Sequence, residues 1–185
     1  MRSFIQVSLS SASLAAALVF GTALAAGPEA GKRVSALKVF DATGAHAGSE
    51  ADYAAERKDQ PTLYVFVQAD KWDRPMARFL RALDEGIAKV DDDAYLVGVW
   101  LTADVNKTKQ YLPLAQQSLQ LRKSALTCYA DGKDGPPAWG IDLGASLTVV
   151  VAVHGKVVES RDFRSVNETV APEILKTLTQ AIKQP

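Results

Sequence analysis

Pro61-Thr-Leu-Tyr-Val-Phe-Val-Gln-Ala-Asp-Lys-Trp-Asp-Arg-Pro-Met76 is the stretch from which the rest of the chain can be read. Leu63 to Val67 is wholly apolar and rich in β-branched and aromatic residues, the pattern of a strand buried on both faces. Beyond a short turn, Met76, Phe79, Leu80, Leu83, Ile87 and Val90 recur at spacings of three and four and share one face of a helix. Arg78, Arg81, Asp84, Glu85 and Lys89 fall on the other face. A central strand therefore feeds a helix through a tight loop.

That loop, Trp72-Asp73-Arg74-Pro75-Met76, resembles the thioredoxin motif Trp-Cys-x-Pro-Cys, with Asp73 and Met76 where the two cysteines stand. The redox motif needs a thiolate at a helix N-terminus, where dipole and free amides lower its pKa, and a second thiol one turn on to close the disulfide. Neither is present. The resemblance thus implies a vestigial active-site loop made of these five residues, with no catalytic group, cofactor or metal expected. Read for itself, Asp73 is a helix N-cap. Pro75 has no amide hydrogen, so the carboxylate takes the amide of Met76, a bond worth about 0.5–2 kcal/mol. The alternative for the loop is a rebuilt binding site.

The N-terminus carries Arg2, the apolar run Leu14 to Phe20 and Ala23-Leu-Ala-Ala26, which reads as a signal peptide over residues 1–26 rather than a membrane span of about 20 apolar residues. Cleavage is expected after Ala25 or Ala26, leaving an exported chain, periplasmic or extracellular and not membrane-spanning. Losing Arg2 from a balance of 21 basic against 21 acidic residues leaves 20 against 21, with no basic block. Nucleic acid is therefore not an expected partner. A single cysteine, Cys128, forms no internal disulfide, so stability rests on a core that 48% hydrophobic residues can supply.

Residues 27–33 read as a loose leader, followed by one domain over residues 34–185. Val34 to Gly44 reads as a short strand and turn, and Ser49-Glu-Ala-Asp52 as a capping box before a short helix. Tyr95 to Leu101 reads as a second buried strand, so strand-helix-strand implies a right-handed parallel crossover. Asn106 then reads as the cap of a helix with Tyr111, Leu112, Leu114, Ala115, Leu119 and Leu121 as its apolar positions, interrupted by Pro113. Ala125 to Ala130 reads as an inserted strand, Leu147 to Val153 and Lys156 to Ser160 as a hairpin around His154-Gly155, and Pro172 as the opening of a terminal helix.

This order resembles secreted thioredoxin-like domains over roughly Val34 to Ile182. It implies an α/β fold with a central mixed sheet of about five strands flanked by helices and carrying a helix-strand insertion. Counting back from Gly155 puts Ser146 at the position of the family's cis-proline, a second lost element.

Two functions follow. The first is a non-redox, non-catalytic binding or assembly protein, with an unidentified protein or peptide at the former active-site face. The second is a thiol-disulfide oxidoreductase or peroxidase-like enzyme using Cys128, although that residue sits in a strand pattern rather than a helix first turn. A hydrolase built on Asp73 with His46 or His154 has no spacing to support it.

Overall fold

The computed structural model describes residues 27–184; the signal-peptide reading falls outside them. The elements are β1 (Lys38–Asp41), β2 (Glu50–Asp52), α1 (Tyr53–Arg57), β3 (Thr62–Gln68), α2 (Arg74–Ile87), β4 (Tyr95–Leu101), α3 (Val105–Leu119), β5 (Ser124–Tyr129), β6 (Leu147–Val153), β7 (Lys156–Phe163) and α4 (Ala171–Ile182). They build one seven-stranded sheet in the order β2-β1-β5-β4-β3-β6-β7, two strands more than the sequence suggested. β3 and β5 lie parallel to β4; the other pairings are antiparallel.

The continuous apolar runs are explained by position. β3, β4, β5 and β6 are interior strands, and every residue of β3 and β6 is buried. α2, α3 and α4 cover one face through Phe79, Leu83, Leu112 and Ile174. On the other face Trp139 packs against Tyr64 and Phe66 at ring separations of 5.0 and 4.9 Å.

Several local readings are corrected by the contacts these residues make. The capping-box residues Glu50 to Asp52 form edge strand β2, and α1 is capped by Asp52, whose Oδ1 accepts from Ala54 N and Ala55 N and also from Leu37 N. α3 is capped by Asp104 rather than Asn106, because Asp104 Oδ1 accepts from Lys107 N at 3.0 Å. Asp84 is not on a solvated face: it is buried and accepts from Arg122 N (2.9 Å), Lys123 N (2.8 Å) and Ser124 Oγ (2.8 Å), fastening α2 to the start of β5.

The leader is not loose. Gly27 N donates to Gly140 O (2.7 Å) and Gly31 N to Val157 O (2.8 Å), while Lys32 O accepts from Val157 N (2.8 Å) and Arg33 bridges to Lys156. A polar, Gly- and Pro-containing segment carries no hydrophobic signal of this kind; backbone hydrogen bonds hold it.

Candidate functional site

The sheet delivers β3 and β4 side by side, so the segments leaving their C-terminal ends meet. After Gln68 the chain makes a 3-10 turn, Ala69–Lys71, and reaches Trp72 before α2 begins. Asp73 caps that helix: its Oδ1 accepts from Met76 N at 2.8 Å, the bond the missing Pro75 amide predicts. Met76 turns into the core and is buried, while Asp73 and Arg74 are exposed at the tip.

Trp72 is the hinge of the site. Its ring meets Trp100 edge-on at 5.1 Å, and its Nε1 donates to Tyr111 Oη at 2.8 Å. Trp72 and Tyr111 form a shared wall between two clefts. One, of about 600 Å³, runs between the 3-10 turn and the β4–α3 connection, lined among others by Trp100, Thr102, Lys107 and Leu143. The other, of about 580 Å³, runs between α2 and α3 past Arg74, Ala77, Leu114 and Ser118. The rim opposite α3 is set by Lys71, whose Nζ donates to the carbonyls of Leu143, Gly144 and Ala145 at 3.0, 3.2 and 3.0 Å.

Ser146 follows directly. Its carbonyl accepts from Gln68 N (3.0 Å), its amide donates to Phe163 O (2.8 Å) and its hydroxyl donates to Arg164 O (2.9 Å), so both backbone groups are held within the sheet. No peptide bond among the described residues is cis. Gln68 Nε2 is buried at the cleft floor without a partner among the described residues.

Cys128 is elsewhere. It sits fully buried in β5, opposite Phe40 on one side and Trp100 on the other, and lines neither cleft. Burial pushes its thiol pKa up, with Lys109 opposing the shift. His46 pairs with Glu56 at 2.9 Å and His154 occupies the β6–β7 turn, so neither joins Asp73. Among the described residues no three His, Cys, Asp or Glu side chains converge as a metal site, and no helix is long and apolar enough to cross a membrane.

Sequence reading brought Trp72, Asp73, Arg74, Pro75, Met76 and Ser146 forward but missed Lys71, Tyr111, Leu114 and Leu143. A signal existed in α3. At about 100° per residue, Leu114 falls roughly 130° round the helix from the centre of Leu112 and Ala115, too far to share their stripe. In the structure Leu112 and Ala115 are buried, while Tyr111 and Leu114 are exposed.

This architecture is the thioredoxin-like fold. No family profile matches the chain, and no curated protein matches it in sequence. Solved structures match it in fold. A thiol peroxidase from Chromobacterium violaceum superposes with a TM-score of 0.61 at 16% identity, covering 85% of this chain and 90% of its own. Peroxidoxin BcpB from Mycobacterium tuberculosis gives 0.59 at 19% identity, covering 84% and 98%. A secreted disulfide oxidoreductase from Mycobacterium tuberculosis, homologous to E. coli DsbE, gives 0.58 at 12% identity, covering 78% and 95%. At these identities the likeness is one of fold.

Proposed function

We propose that this chain is an exported thioredoxin-fold protein without dithiol chemistry, which binds a protein or peptide across the face built by Trp72, Tyr111 and the two flanking clefts. The observation that carries this reading is the location of exposed apolar surface. Tyr111 (41% exposed), Leu114 (64%) and Leu143 (46%) are the large hydrophobic side chains left exposed among the described residues, and each lines one or both of these clefts. Concentrated exposed apolar surface rimmed by charge marks interaction sites. With Asp73 tied to Met76 N and Met76 in the core, the tip offers a cap where a redox site would offer two sulfurs.

A second reading draws on the structural neighbours, which are named as thiol peroxidases and oxidoreductases. It requires Cys128 to act, and a thiol that is fully buried with a raised pKa is a poor nucleophile.

The test has two arms. The purified chain is assayed for disulfide reduction and hydroperoxide reduction; rates at the no-enzyme blank are expected, and turnover abolished by Cys128→Ser would establish the second reading instead. Peptide display is then selected on the wild type and counter-selected on Leu114→Glu. Enriched peptides that bind wild type at least tenfold better than the variant support the surface, and peptides indifferent to Leu114→Glu and to Tyr111→Ala refute it.

A further inference from the structure

Gly27 sits where the sequence leaves two cleavage sites open, after Ala25 or after Ala26. Its surroundings are unusual for an ordinary peptide unit. Its single amide hydrogen is already given to Gly140 O at 2.7 Å. Beside it, Ser160 Oγ is buried and has no hydrogen-bond partner among the described residues. A β-carbon at Gly27 would fall 2.1 Å from that oxygen, so the hydroxyl lies directly against the Gly27 α-carbon and would have to turn aside for any larger residue. Thr148 touches the same spot, and its hydroxyl is bonded to Asp162 Oδ1 at 2.5 Å. Neither Asp162 nor Asp142, two residues beyond Gly140, is ion-paired with a Lys, Arg or His among the described residues. An orphaned hydroxyl thus lies against Gly27, and the carboxylate bonded to the neighbouring Thr148 has no cationic partner among the described residues.

We propose that this corner is a docking site for the chain's own processed amino terminus, formed by cleavage after Ala26, in which the α-ammonium of Gly27 keeps the bond to Gly140 O, gives a second hydrogen to Ser160 Oγ, and has the Asp162 carboxylate one side chain away, behind Thr148. An amide has one hydrogen and here it is spent; an ammonium has three, enough to serve both Gly140 O and Ser160 Oγ. Partial burial holds the Asp162 carboxyl above the usual carboxylate range, opposed by the Thr148 hydrogen bond and reinforced by Asp142. The docked terminus also has a destination. It grips Gly140, while Lys71 grips Leu143, Gly144 and Ala145, so processing braces the near end of the loop that forms the cleft rim.

The inference is independent of what the cleft binds. Its test begins with the precursor, exported by a bacterial host and weighed intact; a mature mass beginning at Gly27 is expected, and any other first residue overturns the proposal. A cycle of four proteins then isolates the contact. Chains starting at Gly27 and at Ala26 are cut from a fusion, each with and without Ser160→Ala. In the Gly27 chain, Ser160→Ala should lower Tm by about 2–4 °C. In the Ala26 chain it should leave Tm unchanged or raise it, because there the hydroxyl is buried without a partner. Asp162→Asn, which changes charge without volume, should show the same difference of sign. Equal effects of these substitutions in both chains would overturn the proposal.

Discussion

Two carboxylates, one capping α2 and one within it, show how differently the same side chain can serve. Asp73 is exposed and makes one bond to Met76 N, so Asp73→Ala should cost about 0.5–2 kcal/mol and Asp73→Asn or Asp73→Ser should recover most of it. Unfolding free energies of the three variants check this; an Ala variant as stable as the parent would remove the cap from the account. Asp84 is buried beneath two amides and a hydroxyl, so Asp84→Ala should strand all three donors and cost about 3–5 kcal/mol. The two are adjacent in kind but not in legibility. Asp73 could be read because its partner lies three residues away; Asp84 could not, since Arg122 to Ser124 are 38 to 40 positions downstream. Cys128 adds a pH signature at this scale. Its folded pKa is raised, as are those of Tyr53, Tyr64 and Tyr95, all mainly by burial. The folded state then holds protons that the unfolded chain releases. Stability from these groups is full below unfolded values of about 8.5 for Cys and about 10 for Tyr, and it is lost as pH climbs above them towards the folded values. Alkaline denaturation should therefore begin above about pH 9, and Cys128 should resist a bulky alkylating reagent in native protein while reacting rapidly in denaturant.

Among elements, the strand-loop-helix from β3 to α2 and the β6–β7 hairpin were legible because their signals are local: apolar runs, a cap and a two-residue turn in which His154 and Gly155 both have positive φ, at 53° and 69°. β2 escaped because three residues carry no period, and it exists only by pairing with β1. α3 was found but its faces were not, because Leu114 was grouped with Leu112 and Ala115 although helical spacing sets it apart from their stripe. β4 contributes a subtler feature. A β-carbon at Gly98 would fall 2.9 Å from Trp100 Cζ3 and 3.2 Å from Leu126 Cδ2, so the glycine leaves room for the indole that supports Trp72. Gly98→Ala should displace Trp100 and loosen the Trp72–Tyr111 wall. The expected signs are about 1–3 kcal/mol of lost stability and a shifted tryptophan emission; an unchanged spectrum and unchanged stability would show that the indole has room to spare.

At the scale of the molecule, the sheet has two ends. β2 closes one with three residues, and at the other the backbone of β7 meets the leader, where Gly31 N, Lys32 O and Arg33 engage Val157 and Lys156, and Val34 N donates to Gly155 O. An unpaired strand edge is a template on which another chain can add itself. The leader is consequently a stopper on lateral growth of the sheet. It occupies the first hydrogen-bonding positions of β7, and Glu159, Arg161 and Asp162 place charge along what remains of that strand. Seven residues that read as slack thus bear on how many copies of the chain can coexist without joining: trimmed to Val34, the protein should sediment as concentration-dependent oligomers where the intact chain does not.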